Sequence, residues 1–151
     1  MEKENLLRLD NQLCFSIYAC SREICRLYRP LLEEIGLTYP QYLVMLVLWE
    51  HGECTVKELG ERLYLDSGTL TPMLKRMEAA GLIERQRSRQ DERVVCISLT
   101  KQGLELKERA YCVPEALLAK SGVPQEQFVQ MLTQFQQLLF RIHQINEEEQ
   151  A

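Results

Sequence analysis

The apolar residues of the first third of the chain recur every three or four positions. Leu6, Leu9, Leu13, Ile17, Ile24, Leu27 and Leu31 form one stripe, with no glycine and no proline before Pro30, and predict a long first helix over 6–32. Gly36 breaks the pattern. Thr38 then serves as the N-cap of a second helix, whose early Pro40 is tolerated because first-turn amides have no intrahelical acceptor. This segment, YPQYLVMLVLWEH, stops at Gly52, and its LVMLVLW run is apolar on nearly every side, as a central buried helix requires.

Thr55 with Glu58 makes a capping box, and Val56, Leu59 and Leu63 give the short helix that follows one apolar face. After a break at Leu65 and Asp66, helical spacing resumes with Leu70, Leu74 and Met77 and runs to Gly81, a natural left-handed stop. Two short helices a tight turn apart predict a helix-turn-helix. The period then becomes two. Residues 82–88 and 93–99 read as strands joined by the polar link RQDE, which is a hairpin or wing. Thr100 caps a further helix, broken or bent near Pro114, and SGVP at 121–124 precedes the last one. There Phe128, Met131, Leu132, Phe135, Leu138, Leu139, Ile142 and Ile145 form a face broad enough to want a partner.

The expected fold is mainly α with a small β-hairpin, a single domain over 1–151. A winged helix-turn-helix spans 53–100, with its wing at about 82–99, and is flanked by helical regions 1–35 and 112–151 that pair with a second copy. At 151 residues the chain suits one core, and no apolar run approaches the roughly 18 residues of a membrane span. The start, MEKENLLRLD, is not a secretion signal, and the expected location is the cytoplasm.

The net charge of −4 speaks against nucleic acid only if it is taken globally. Residues 67–93 alone are positive, with 6 basic and 4 acidic groups, while the flanking segments are acidic. Within that segment DSGTLTPMLKR has the make-up of a recognition helix. Asp66 opens it, Ser67, Thr69 and Thr71 supply hydroxyls, Gly68 permits close approach, and Lys75 and Arg76 supply charge. Pro72 lies within its first two turns and implies a slight irregularity there. Arg85, Arg87, Arg89 and Arg93 surround the hairpin turn, suited to phosphate contact or to a narrow minor groove. The expected partner is double-stranded, pseudo-palindromic operator DNA.

Six cysteines stand at 14, 20, 25, 54, 96 and 112, none in a CxxC, and His51 and His143 are isolated. Neither a metal site nor a cofactor is expected, and no catalytic triad or phosphate loop points to an ordinary enzyme. Cys14, Tyr18, Ser21, Cys25 and Tyr28 share one helical stripe. Within one straight helix Tyr28 lies about 21 Å from Cys14, so contact requires a second copy, for example through antiparallel helices crossing near Ser21.

The order of elements, with the wing residues Asp91, Glu92 and Arg93, resembles the MarR family of dimeric winged-helix regulators. LDNQLCF, GLTYPQYLVMLVLWE and LYLDSGTLTPMLKRME together resemble its OhrR-type organic hydroperoxide sensors. The resemblance makes Cys14 the sensing thiol and Tyr28 and Tyr39, from the partner subunit, its hydrogen-bond donors; Tyr18, one turn along the same stripe, is a further candidate to stabilise the thiolate. Phenols donating to a thiolate stabilise it and make it nucleophilic near neutral pH. Leu13, Phe15 and Ile17 would favour a greasy organic peroxide. The resemblance implies that oxidation ends in an intersubunit disulfide or in reaction with a low-molecular-weight thiol. Cys112 and Cys25 are candidate resolving residues, and Cys20, Cys54 and Cys96 are structural or incidental. The implied outcome is a repressor of peroxide-detoxification genes that leaves DNA on oxidation. A MarR-type repressor released by a small aromatic ligand is the alternative, and a thiol peroxidase is a third reading.

Overall fold

A computed structural model of the chain describes residues 2–151. The elements run α1 (Lys3–Leu6), a 3-10 turn (Leu9–Asn11), α2 (Leu13–Glu33), α3 (Tyr39–His51), β1 (Cys54–Thr55), α4 (Val56–Leu63), α5 (Ser67–Ala79), β2 (Ile83–Arg87), β3 (Val95–Leu99), α6 (Lys101–Ala110), α7 (Cys112–Ser121) and α8 (Gln125–Gln150). The backbone divides into two compact units, one ending at Val113 and one running from Pro114 to Ala151.

The expected single helix over 6–32 is broken before residue 13. The carboxamides of Asn11 and Gln12 cause the break: Asn11 Nδ2 donates to the Asn5 carbonyl at 2.7 Å, and Gln12 Nε2 donates to those of Leu6 and Arg8 at 2.7 and 3.0 Å. Such side chains compete with the backbone for helical carbonyls. Gln12 is extended, and α2 starts afresh at Leu13.

The first unit is built around α3. Its capping box, between Thr38 and Gln41, is complete, and Tyr42, Val44, Met45, Val47 and Leu48 are buried. Around it pack Leu32 of α2, Leu59 of α4, Leu70, Leu74 and Met77 of α5, and Ile83 and Ile97 of the sheet. Trp49 donates its indole N–H to the Gly103 carbonyl at 2.9 Å, tying α3 to α6. The helix ends expected at Gly36, Gly52 and Gly81 all show positive φ.

The hairpin is present with Ile83 opposite Leu99 and Arg85 opposite Ile97, and a third strand joins it. β1 pairs antiparallel with β3, Cys54 opposite Ile97, giving the order β1-β3-β2. The base of the wing is anchored where Thr100 Oγ1 donates to the Gly81 carbonyl at 2.6 Å and accepts from the Gly103 amide at 3.0 Å.

The bend expected near Pro114 lies earlier, at Tyr111, between α6 and α7. Proline has no N–H to give the carbonyl four residues back and its ring crowds that oxygen, so the interruption falls on the Ala110 side. In the second unit, α8 buries none of its residues, and Phe128, Leu132, Phe135, Leu139, Ile142 and Ile145 are exposed. No helix of the described residues is long and apolar enough to cross a membrane.

Candidate functional site

Two groups of residues carry candidate chemistry, one along α2 and α3 and one across α5 and the hairpin. Because α2 begins at Leu13, Cys14 is its second residue, in the turn whose amides lack intrahelical acceptors. Its N-cap, Gln12, makes no side-chain cap hydrogen bond. Cys14 is exposed. Tyr18, one turn on, is exposed too and lies under the Arg22 guanidinium, 5.6 Å from the ring centroid. Cys25 is half-buried.

The chain brings Tyr28 and Tyr39 together, with ring centroids 4.9 Å apart. Tyr42 completes a triad at 5.8 Å from Tyr28 and 6.4 Å from Tyr39. Burial pushes the Tyr28 phenol far above the ordinary phenol range, with the neighbouring Tyr39, Tyr42 and Cys25 adding to the rise. Burial raises Tyr39 and Tyr42 likewise, so all three remain protonated donors across the physiological range. Tyr42 was not singled out from sequence, although YPQY sets it three residues after Tyr39 on one helical face.

The remaining thiols differ in setting. Cys112 opens α7, exposed, with Sγ donating to the Arg109 carbonyl at 3.3 Å. Cys54 is buried on β1, and burial pushes its thiol up, away from the thiolate form.

The helix-turn-helix depends on a close turn. Tyr64 closes α4 in the left-handed region at φ 57, and the Leu65 amide reaches back to the Gly60 carbonyl at 3.0 Å. A Cβ at Gly60 would sit 2.5 Å from the Leu65 oxygen, so this crossing needs glycine. Asp66 is the N-cap of α5, accepting the Thr69 amide at 2.7 Å, and that hydrogen bond holds its carboxyl below the usual range. Ser67, Gly68, Thr69, Pro72, Lys75 and Arg76 are exposed, while Leu70, Met73, Leu74 and Met77 are buried. Thr71 donates its hydroxyl to the Ser67 carbonyl at 2.7 Å. Pro72 leaves α5 unbroken.

In the wing, Asp91 grips Arg93. Its Oδ1 accepts the Arg93 amide at 3.0 Å and Nε at 3.1 Å, and its Oδ2 accepts Nη2 at 3.2 Å. Arg93 nonetheless has a side chain 91% exposed, a preset guanidinium facing water. Arg93 in turn holds the Asp91 carboxyl below the usual range. Arg87 braces the tip by donating to the Glu92 carbonyl at 2.9 Å, and Arg89 is exposed. Arg85 stands apart from the other wing arginines: its side chain is 20% exposed and turned toward Glu78 of α5.

Comparison with known proteins bears on both groups. Residues 26–110 match the family model described as "Transcriptional regulator SarA/Rot". The chain is 54% identical to the organic hydroperoxide resistance transcriptional regulator of Bacillus subtilis, over 93% of this chain and 95% of that one. Among solved structures it resembles AbfR of Staphylococcus epidermidis in three states. Reduced AbfR bound to DNA gives a TM-score of 0.75 at 41% identity, covering 93% of this chain and 97% of that chain. The overoxidized protein bound to DNA gives 0.75 at 40%, covering 93% and 99%, and the disulfide form gives 0.61 at 38%, covering 96% and 97%. The chain belongs to the MarR-like winged-helix transcriptional regulators of the SarA/Rot family, on the branch of the OhrR-type organic hydroperoxide regulators.

Proposed function

We propose that the protein is a homodimeric, thiol-based repressor that binds pseudo-palindromic operator DNA when reduced and leaves it when Cys14 is oxidised by an organic hydroperoxide. The observation that carries the reading is the setting of Cys14: an exposed thiol in the first turn of α2, on a helix that also bears Tyr28, in a chain with a preset DNA-reading face. Tyr28 and Tyr39 form a ready pair of protonated phenols for the Cys14 of a second copy.

The chemistry balances in two steps. The Cys14 thiolate attacks the outer peroxide oxygen, the O–O bond breaks, an alcohol leaves after taking up a proton, and sulfur becomes a sulfenic acid. A second thiol then displaces hydroxide from that sulfur, giving a disulfide and water. The second thiol is Cys112 or Cys25 of the partner copy, or a low-molecular-weight thiol. One relative was captured on DNA in its overoxidized state and separately in a disulfide form, which favours the disulfide as the releasing species. The thiol is spent rather than turned over, so the protein acts as a cytoplasmic sensor and not as a peroxidase.

The test is fluorescence anisotropy of the reduced protein on DNA from upstream of its own gene, before and after one equivalent of cumene hydroperoxide, with Cys14→Ser in parallel. Release of the wild type and retention of the variant are expected. If Cys14→Ser is released equally, or neither is, the redox reading fails and a small aromatic ligand becomes the inducer to seek.

A further inference from the structure

Glu78 occupies the last turn of α5 and Arg85 the middle of β2, so the two join the recognition helix to the wing. Glu78 Oε2 accepts the Arg85 amide at 3.0 Å, and Oε1 lies 3.8 Å from Arg85 Nη1. One carboxylate thus holds both the backbone and the side chain of the same strand residue. Arg85 faces inward because it is paired with Ile97 and so shares that core residue's side of the hairpin. Its Nε is buried without a hydrogen-bond partner.

Burying an unsatisfied guanidinium N–H costs free energy that an apolar residue would avoid. An arginine needed only for phosphate would stand outside, as Arg93 does. The covalent path from α5 to β2 is only Ala80, Gly81 and Leu82, held at the base of the hairpin where the Leu82 amide donates to the Met77 carbonyl at 3.1 Å and Thr100 Oγ1 to the Gly81 carbonyl; above that base, Glu78 is the α5 side chain that reaches Arg85 in the middle of β2.

We infer that the Glu78–Arg85 link is a strut that fixes the wing relative to the recognition helix, so that both grooves of the DNA are engaged at once. Arg85 and Glu78 are positioning residues, and the phosphate contacts belong to Arg87, Arg89 and Arg93. The inference rests on the DNA-binding reading above. With the strut in place the wing meets DNA already oriented, and without it that ordering is charged against binding.

The experiment titrates reduced full-length protein against duplex DNA from upstream of its own gene, between about 50 and 200 mM salt, the range in which counterion release is read as a slope. The variants are Glu78→Ala, Glu78→Gln, Arg93→Ala and the double variant Glu78→Ala/Arg93→Ala, with thermal unfolding of each. Glu78→Ala is expected to weaken binding about tenfold and to cost much less in the Arg93→Ala background, as coupled residues do. Its salt slope is expected to fall by about 1 or more, because wing phosphates are no longer neutralised. Glu78→Gln keeps an oxygen for the Arg85 amide and should fall between.

Simple charge predicts the opposite sign, since removing an acidic group near phosphates tightens binding. Unchanged or tighter binding at the wild-type slope overturns the strut, and so does weaker binding with a lowered melting temperature but the wild-type slope. A wild type that shows no salt-dependent binding overturns the DNA reading itself, which is a separate result.

Discussion

Asp66 and Asp91 are both exposed carboxylates committed to local hydrogen bonds, one to the Thr69 amide and one to the Arg93 guanidinium. Those bonds hold the pKa of both carboxyls below the ordinary carboxylate value. A group whose folded value is depressed contributes stability that is present above its unfolded value, near pH 4, and is lost as pH falls through the folded one. The recognition helix and the wing are therefore expected to loosen together in acid. Asp66→Asn isolates the first contribution, because asparagine keeps a capping oxygen but has no proton to gain. Thermal unfolding at neutral pH should be little changed in this variant, and the loss of melting temperature on acidification should be smaller than in wild type. Equal losses in both proteins would remove the cap from the acid response.

Elements set off by a local signal were legible in the sequence. Thr38, Thr55 and Thr100 each cap the helix they precede, and Gly36, Gly52 and Gly81 each end a run. What escaped had no local signal. β1 is two residues long and exists only because Cys54 and Thr55 meet Ile97 and Cys96, some forty positions away. The break at Gln12 comes from side-chain amides reaching backward, which hydrophobic periodicity does not register. Arg85 reads like its neighbours in an arginine-rich hairpin until the register places it opposite Ile97. The stripe bearing Cys14 and Tyr28 was legible, whereas the convergence of Tyr39 and Tyr42 on Tyr28 needed the packing of α3 on α2. The helix-turn-helix itself hinges on one small residue. In Gly60→Ala the new methyl meets the Leu65 carbonyl, a backbone atom that cannot swing aside, so α4 and α5 must part. Overpacking of this kind costs about 1–3 kcal/mol, to be read by urea denaturation, and DNA affinity should fall further than stability does. A variant as stable and as tight-binding as wild type would mean that the turn relaxes freely.

For the whole molecule, the apolar surface left open decides the assembly. In the second unit α8 leaves Phe128, Leu132, Phe135, Leu139, Ile142 and Ile145 open to water along one helix, and in the first unit Leu6, Leu9, Leu13, Phe15, Ile24 and Leu27 are exposed as well, more apolar surface than a solitary chain keeps in water. A second copy of the same chain satisfies this with closed two-fold symmetry. It also suits the pseudo-palindromic operator proposed above, because a symmetric dimer presents two recognition helices to half-sites about 34–36 Å apart. Joining the two readers converts the second contact into an intramolecular one, raising affinity about 10²-fold or more over a single half-site. Phe135→Asp combined with Leu139→Asp tests this at positions that α8 leaves exposed, so its helix can persist while the apolar face is lost. Sedimentation should give one chain in place of two, and operator affinity should drop by about that same factor. The spacing preference should vanish as well, since a monomer has no second helix with which to measure it. A variant that sediments as a pair and still discriminates spacing would place the dimer contact elsewhere than on α8.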